Sequence, residues 1–166
     1  MFKAVIFDLD GTLLDLPINY VAMYKKISET TGITEIKPLL KTVTQIKDAQ
    51  ILKQILDIWT DAESAIIDKS TIHEEGMQFY RQYKELPKAL VTMQSNETVQ
   101  KVCQKFSLQF DVVFTRENSF NRAEQLKIAI AKLGCTSSKV LFIGNMDNDE
   151  AAAKQVGCQF IKVKSG

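Results

Sequence analysis

Five short apolar runs punctuate this sequence, and most of them are separated by patterns typical of amphipathic helices. Runs of this length, rich in β-branched and aromatic residues, are typical of strands buried on both faces of a parallel sheet. Strands that alternate with single helices are joined by right-handed crossovers. We therefore predict an α/β fold, a doubly wound parallel sheet of Rossmann-like type. The five runs are AVIF (4–7), KALVTM (88–93), DVVFT (111–115), KVLFIG (139–144) and CQFIKV (158–163).

Three segments beside these runs have the apolar spacing of helices. Segment 96–106 carries its apolar residues three and four positions apart, and so does segment 122–134, which ends on a glycine. Segment 148–157 begins with acidic residues and also ends on a glycine. Glycine is a common helix stop, so these three segments are predicted to be the helices of the α/β core.

Residues 16–82 interrupt this alternation. Pro17 and Gly32 bound a first helical pattern, and no strand-like run follows it in this region. A stretch of roughly 65 residues is in the size range of a small helical bundle. We predict a helical insertion after the first strand, with further helices in 36–45, 47–59 and 61–83.

Composition excludes several classes of partner. The net charge of +1 offers no basic field for nucleic acid or for a membrane surface, and no stretch approaches the 18 apolar residues of a membrane span. The three cysteines are odd in number and widely spaced, which favours reduced thiols over a disulfide framework. We therefore expect a cytoplasmic protein without nucleic-acid or membrane partners, and its oligomeric state remains open.

Two aspartates directly follow the first apolar run, in FDLDGTLLD (7–15). In extended backbone Asp8 and Asp10 point to the same side, at the carboxyl end of a strand where ligands bind in α/β sheets. Two carboxylates this close resist joint ionisation unless a cation lies between them, and oxygen-rich sites suit Mg²⁺ together with a substrate phosphate. Gly11 allows a tight turn. From these residues alone, the aspartates are either such a site or the caps of a turn.

The same stretch closely resembles the first motif of the haloacid dehalogenase superfamily, an apolar strand followed by DxDGT. LVT, ending at Thr92, resembles the second motif, and KVLFIGNMDNDEAAAKQVG (139–157) resembles the fourth, a strand followed by GDxxxD and a helix. The helical insertion is similar in position to the cap of the phosphatase-like branch. The resemblance covers the whole chain and implies an α/β core formed by residues 1–15 and 83–166, with a helical cap at 16–82.

The resemblance also implies roles for individual residues. Asp8 would be the nucleophile that becomes an aspartyl phosphate, and Asp10 would protonate the leaving oxygen and then activate water. The Asp8 carboxylate and the Asp10 backbone carbonyl would ligate Mg²⁺, with Asn145 and Asp149 completing the metal site. Thr92 would donate its hydroxyl to a phosphoryl oxygen.

The chain departs from the superfamily pattern in its third motif, which normally supplies a lysine. No lysine lies between residues 106 and 126. Arg122, at the start of a predicted helix, and Arg116, at the tip of a predicted strand, are the two candidate replacements. Arginine can bind phosphate through its fork, so replacement is chemically sound, and we expect Arg122 to bind phosphate. A solvated arginine at a helix start is the alternative.

A second departure lies in the fourth motif, where Asn145 occupies the position of an aspartate. Its amide oxygen is neutral, so the metal site would be one negative charge short. Asp149 retains the second acid of the pattern, and Asp147 lies between the two. These acids also suit a helix N-terminus, which favours negative charge.

The resemblance implies an enzyme, a haloacid dehalogenase-like hydrolase that uses Mg²⁺ to remove phosphate from a small phosphorylated metabolite. The two departures leave another class open, a catalytically weakened member that binds a phosphorylated ligand or a partner protein. A sugar-phosphate mutase would use the same aspartates. Fold alone does not separate these functions.

Overall fold

The computed structural model of the protein describes residues 1–164. The strands are β1 (Ala4–Phe7), β2 (Leu14–Asp15), β3 (Thr71–Ile72), β4 (Lys88–Val91), β5 (Val112–Phe114), β6 (Val140–Gly144) and β7 (Gln159–Lys162). The helices are α1 (Tyr20–Thr31), α2 (Leu39–Gln45), α3 (Ala49–Ser64), α4 (Glu74–Gln82), α5 (Asn96–Phe106), α6 (Arg122–Lys132) and α7 (Asp147–Val156). Short 3₁₀ turns at Ile67–Lys69 and Ser137–Lys139 complete the set.

Five strands form one parallel sheet in the order β5–β4–β1–β6–β7. Strand β1 lies at the centre, with Ile6 opposite Ala89 of β4 and opposite Phe142 of β6. The predicted doubly wound parallel sheet is therefore confirmed, and each of the five apolar runs contains one of its strands. From β1 the chain continues to β4 and β5 on one side and then to β6 and β7 on the other side. The strand order therefore reverses at β1, and α/β proteins bind their ligands at such a switch point.

Helices cover both faces of the sheet. One face packs with α4 and α5 through residues such as Phe7, Val99 and Val102, and the other packs with α6 and α7 through Leu126 and Ala153. The central strands β1, β4 and β6 are fully buried, whereas β5 and β7 are partly exposed. The prediction of burial on both faces thus fails for β5 and β7, because an edge strand has a neighbour on one side only.

Three of the four helices in residues 16–82 have their own apolar cluster. Helices α1, α2 and α3 surround residues that pack on one another rather than on the sheet: Met23, Ile27, Ile36, Leu39, Val43, Ile55, Ile58 and Trp59. Met93 and Phe120 of the α/β core also pack against this cluster. In the core itself, helices α5, α6 and α7 keep their predicted positions within a few residues.

The prediction of uninterrupted helix over 61–83 is wrong. Helix α3 continues to Ser64, and the chain then forms β3, which pairs antiparallel with β2. The expectation that no strand occurs in 16–82 is therefore also wrong, because an exposed two-residue strand has no hydrophobic periodicity to reveal it. Helix α4 buries Met77 in the same cluster as the sheet residue Phe7, so it packs with the core although its sequence reads as part of the insertion.

Within residues 1–164, no helix is both long enough and apolar enough to cross a lipid bilayer.

Candidate active site

The carboxyl ends of the three central strands bring the predicted site residues to one edge of the sheet. Asp8 follows β1, Thr92 follows β4 and Asn145 follows β6. These strands are direct neighbours. Residues separated by more than 130 positions therefore meet, and the Thr12 hydroxyl lies 3.4 Å from Asp8 Oδ2 and 3.3 Å from Asn145 Oδ1.

A tight loop after β1 holds the paired aspartates. The Leu9 carbonyl accepts hydrogen bonds from the backbone N–H groups of Thr12 and Leu14, at 3.2 and 3.1 Å. Gly11 has a backbone φ of +78°, which residues other than glycine rarely adopt. A Cβ there would stand 2.2 Å from the Asn145 amide nitrogen. The glycine therefore allows both the turn and the close approach of Asn145.

Helix α4 and the residue before it pack against this loop. The Thr12 carbonyl oxygen approaches Gly76 so closely that a Cβ on Gly76 would lie only 1.6 Å from it. The His73 backbone N–H donates to the Leu13 carbonyl at 2.9 Å. Because α4 supports the loop in this way, its packing with the sheet also places Asp8 and Asp10.

Asp8 forms an ion pair with Arg122. The Arg122 Nη2 lies 3.0 Å from Asp8 Oδ1, and its Nε lies 2.9 Å from Asp149 Oδ1. The third nitrogen of the fork, Nη1, donates to Gln125 Oε1 at 2.7 Å. These bonds use all three guanidinium nitrogens, so Arg122 is held in one orientation beside Asp8.

Arg116, the other candidate replacement for the motif lysine, lies in a different environment. Its Nη1 forms an ion pair with Glu63 at 2.7 Å, and both side chains are almost completely buried. It also donates to the Thr60 hydroxyl and lies over the Trp59 ring. Of the two arginines, the one that contacts Asp8 is therefore Arg122.

Replacing Arg122 tests its part in the site. Arg122→Lys restores the residue type of the superfamily motif, and we expect its turnover to stay within about tenfold of the parent's. Arg122→Met removes the positive charge beside Asp8, and we expect a loss of about 10²-fold in kcat/KM, the usual order for one preorganised group that stabilises developing charge. Steady-state kinetics with an aryl phosphate measure both. A methionine variant as active as the lysine variant would contradict this role.

The two acids of the fourth motif have different surroundings. Asp149 is buried, and its Oδ2 accepts the backbone N–H groups of Asn145 and Met146 at 3.2 and 3.1 Å, which caps α7. Asp147 is exposed and pairs with Lys162, which lowers the pKa of Asp147. Asp147 therefore has its partner at the protein surface, whereas Asp149 joins the helix start to Arg122.

Burial raises the pKa values of both catalytic candidates. The pKa of Asp8 rises to about 7, chiefly because the carboxylate is desolvated; Arg122 lowers it and Asp149 raises it by smaller amounts. The pKa of Asp10 rises to about 6, again chiefly through desolvation, although a hydrogen bond from the Leu16 backbone N–H to its carboxylate opposes the shift. Strongly shifted acids that share one cavity are a common mark of an active site.

Thr92 lies at the tip of β4 and is buried. Its hydroxyl oxygen accepts the backbone N–H of Gln94 at 3.1 Å. The Thr92 carbonyl in turn accepts from the Gln125 amide at 2.9 Å, and the same Gln125 contacts Arg122. Sequence reasoning missed Gln125, which connects Thr92 to Arg122, because a glutamine within an amphipathic helix carries no distinguishing signal.

The oxygen atoms near Asp8 suit a hard divalent cation. The buried Asp8 carboxylate, the half-buried Asp10 carboxylate and the Asn145 amide lie around one loop and offer oxygen atoms, the ligands that such a cation prefers. No group of three or more His, Cys, Asp or Glu side chains with metal-binding geometry occurs in the described part of the chain. The Asn145 amide is therefore the neutral oxygen that this site offers beside its carboxylates.

A cavity of about 800 Å³ opens above these residues. Its floor is formed by residues at the strand ends, among them Asp8, Asp10 and Asn145, together with Arg122 at the start of α6. Its opposite wall comes from the insertion and is mostly aromatic or apolar, with one basic residue: Tyr20, Tyr24, Lys37, Pro38, Leu39, Leu40 and Trp59. The first three helices of the insertion thus cover the edge of the sheet that carries the aspartates.

Comparison with known proteins agrees with this architecture. Residues 5–163 match the profile of the family described as haloacid dehalogenase-like hydrolase. No curated protein matches the chain. A candidate haloacid dehalogenase-like hydrolase from Bacteroides fragilis superposes with a TM-score of 0.78 at 21% identity, covering 100% of this chain and 89% of that one.

Two further solved structures have similar folds. A candidate phosphoglycolate phosphatase from Lactobacillus plantarum has a TM-score of 0.74 at 19% identity, covering 96% of this chain and 85% of that one. CbbY from Rhodobacter sphaeroides, solved in complex with phosphate, has a TM-score of 0.77 at 17% identity, covering 100% and 88%. Identities this low indicate a shared fold.

Proposed function

The chain belongs to the haloacid dehalogenase-like hydrolase family and is a hydrolase, and we propose that it removes phosphate from a small phosphorylated metabolite. The observation that carries this proposal is the buried pair of Asp8 and Arg122 at the carboxyl end of the central strand. A nucleophilic carboxylate beside a fixed guanidinium suits attack on a phosphoryl group, because phosphoryl transfer depends mainly on positioning and charge stabilisation.

Asp8 is the proposed nucleophile. The hydrogen bond from Arg122 to Oδ1 fixes the rotation of the carboxylate, so that it presents a defined oxygen to phosphorus. Attack forms the bond between this oxygen and phosphorus while the bond to the leaving oxygen breaks, which produces an aspartyl phosphate. The Arg122 guanidinium also faces the equatorial oxygens as their charge develops.

Asp10 is the proposed acid and base. A carboxyl group with a pKa of about 6 is partly protonated near neutral pH, so it can protonate the leaving oxygen. The resulting carboxylate can then take a proton from the water that hydrolyses the aspartyl phosphate. The bond from the Leu16 backbone to Asp10 Oδ1 orients the group through both steps. The Thr92 hydroxyl is the proposed donor to a phosphoryl oxygen.

Asp8, the Asp10 carbonyl and Asn145 are the proposed ligands of Mg²⁺, with Asp149 in support. Mg²⁺, when bound, supplies positive charge to the phosphoryl oxygens. Both Asp149 oxygens already accept hydrogen bonds, from Arg122 and from the start of α7, and these contacts favour a role as the partner of Arg122. The proposed ligands therefore carry less negative charge than they would if residue 145 were an aspartate.

The insertion is the proposed cap that encloses the leaving group. Its apolar cluster extends from Met23 to Trp59, and α4 packs with the sheet, so we place the cap at 16–70 and assign α4 to the core. The aromatic wall and Lys37 suit a small leaving group with an apolar face and one anionic or polar end. CbbY has also been solved with xylulose-1,5-bisphosphate, so we include sugar phosphates among the candidate substrates. A cytosolic location is proposed because all three cysteines are free thiols.

The test of this proposal is hydrolysis of an aryl phosphate with and without Mg²⁺, followed by a panel of metabolite phosphates that includes sugar phosphates. We expect Mg²⁺-dependent release of phosphate, abolished by a chelator and restored by excess Mg²⁺. Binding of orthophosphate without hydrolysis of any panel member would instead favour a catalytically weakened, ligand-binding protein. Conversion of a sugar phosphate to its isomer, without release of phosphate, would favour a mutase.

Asn145 sets a prediction for metal affinity. Because its amide is neutral, we expect the parent protein to need about 10⁻³ M Mg²⁺ or more, at the weak end of oxygen-ligand sites. A charge pair near 4 Å gains roughly 4 kcal/mol at a surface-like dielectric before desolvation, so Asn145→Asp should tighten Mg²⁺ binding by about one to three decades. Calorimetric titration of Mg²⁺ and activity at limiting Mg²⁺ measure the change.

Asp147→Asn is the matched control for this experiment, because Asp147 belongs to the same segment but pairs with Lys162 at the surface. Its Mg²⁺ requirement should equal that of the parent. If Asn145→Asp binds Mg²⁺ no more tightly than the parent, Asn145 does not contact the metal.

A further inference from the structure

A buried ion pair connects the cap to the loop that follows Thr92. Glu63 lies in the last turn of cap helix α3, and Arg116 follows β5 of the core, 53 positions later. Their side chains are 0% and 2% exposed and lie 2.7 Å apart. Burying both charges is unfavourable unless each finds several partners, so this pair is expected to have a specific role.

Most of the other hydrogen bonds of Glu63 and Arg116 go to residues 93–95, here called the 93–95 loop. Arg116 Nη1 donates to the Met93 carbonyl at 3.1 Å, and the Arg116 backbone N–H donates to the Gln94 carbonyl at 3.3 Å. Glu63 Oε1 accepts the Ser95 backbone N–H at 3.2 Å. The side chains of the pair therefore hold Met93 and Ser95, and the Arg116 backbone holds Gln94 between them.

The cap contributes further contacts to the same point. Arg116 Nη2 donates to the Thr60 hydroxyl at 2.7 Å, and its guanidinium lies 4.1 Å from the centre of the Trp59 ring. Thr98, in the first turn of α5, donates its hydroxyl to Glu63 Oε1 at 2.9 Å. Helix α3, the 93–95 loop and α5 thus share one buried polar network.

The 93–95 loop in turn contacts the proposed phosphate-binding hydroxyl. The Gln94 backbone N–H donates to Thr92 Oγ1, which limits how this side chain can rotate. Met93 and Gln94 also line the cavity above Asp8. A displacement of the loop would therefore change both the Thr92 hydroxyl and the wall that faces a substrate.

We propose that Glu63 and Arg116 are positioning residues, which hold the 93–95 loop and Thr92 in phosphate-binding geometry and couple them to the position of cap helix α3. This inference rests on the proposed phosphatase function. It assigns Arg116 no contact with phosphate. The two side chains act through Met93 and Ser95, which flank Gln94, so the proposal concerns how well the site binds phosphate and leaves the metal site unchanged.

Two variants test the proposal. Arg116→Lys keeps the charge but cannot bond Glu63, Thr60 and the Met93 carbonyl together, and a double variant, Glu63→Gln with Arg116→Met, removes both charges without leaving one unpaired. We expect KM for an aryl phosphate and the inhibition constant of orthophosphate to rise about threefold in Arg116→Lys and about tenfold in the double variant. Half-saturation by Mg²⁺ should change less than twofold.

The exposed pair Arg81–Glu74 is the matched control. It has a similar length, 2.8 Å, but its side chains are 55% and 65% exposed on α4. The variants Arg81→Lys and Glu74→Gln with Arg81→Met should leave the melting temperature within error of the parent's, and KM and phosphate inhibition within twofold. This comparison separates the loss of any Arg–Glu pair from the loss of this one.

Phosphate affinity decides between a positioning role and a purely structural one. A double variant that melts at a lower temperature but keeps the parent's phosphate inhibition constant within twofold would overturn the proposal. If the double variant does not fold, Arg116→Lys decides in the same way.

Amide hydrogen exchange at Ser95 gives a readout that is independent of activity. We expect exchange at Ser95 to be about tenfold faster in Glu63→Met with Arg116→Met, which removes both charges and also the acceptor of the Ser95 N–H, and unchanged protection would overturn the proposed hold on the loop. A parent that neither hydrolyses nor binds phosphate would contradict the proposed function, whereas an active parent with unaffected variants would contradict only the role of Glu63 and Arg116.

Discussion

Asp8→Asn is expected to lower kcat by at least about 10³-fold, because an amide oxygen is a poor nucleophile and the covalent route is lost with it. The substitution preserves the size of the side chain and an Oδ1 that can still accept the bond from Arg122. It also removes a charge whose burial raises the pKa of Asp8 to about 7, so the variant should fold. Steady-state hydrolysis of an aryl phosphate, together with a thermal melt, measures both effects.

Trapping the intermediate makes this prediction specific to the mechanism. A radiolabelled phosphate ester, quenched in acid during turnover, should leave label on the parent chain and none on Asp8→Asn. Asp147→Asn is the control, since this exposed acid pairs with Lys162 and should retain full turnover and labelling. Turnover of Asp8→Asn within tenfold of the parent, or label that persists in it, would exclude Asp8 as the nucleophile.

Asp10→Asn should have the second large effect, and its size should depend on the leaving group. Loss of general acid and base catalysis is commonly worth roughly 10²–10⁴ in rate, and alkyl phosphates should show this loss because their leaving oxygen needs the proton. Aryl phosphates have good leaving groups, so their first step should suffer less. The amide oxygen that the substitution introduces can still accept the Leu16 backbone N–H, which preserves the loop.

Rapid-quench measurement of phosphoenzyme formation with one alkyl and one aryl phosphate tests the role of Asp10. Asp15→Asn is the control, because Asp15 is a neighbouring acid that lines the same cavity without an assigned step. Its rates should stay within about fivefold of the parent's for both esters. Equal losses with both esters in Asp10→Asn would contradict its role as the acid that protonates the leaving oxygen.

Hydrophobic patterning was sufficient to predict the core of this protein. The runs at 4–7, 88–93 and 139–144 became the three buried central strands, because a continuous apolar segment with short polar ends has few other stable environments. Helix α5 occupies 96–106 as its apolar spacing predicted. Polar residues that directly follow buried parallel strands must meet at one edge of the sheet, so the convergence of the DxDG loop, Thr92 and Asn145 also followed from sequence.

Patterning was insufficient wherever a residue's partner lies far away in sequence. Arg116 and Arg122 are six positions apart in the printed sequence and equally basic, and local spacing favours neither as the partner of Asp8. The difference arises because α3 brings Glu63 to Arg116, whereas α6 and α7 bring Arg122 between Asp8 and Asp149. Only the packing of helices on the sheet determines which carboxylate each guanidinium meets.

Tertiary packing also decides which helices of residues 16–82 pack on the sheet and which pack on one another. Helix α4 has an amphipathic pattern like that of the cap helices, and its sequence contains no sign of the sheet it covers. It packs with the core because Gly76 admits the Thr12 carbonyl and Met77 shares an apolar cluster with Phe7. The sequence by itself determined which segments form the five strands of the sheet and helices α5, α6 and α7, to within a few residues, because those properties depend on neighbours within a few positions. Tertiary structure alone decided which helix packs on which surface and which buried charges pair, because these depend on shape and burial across the whole chain.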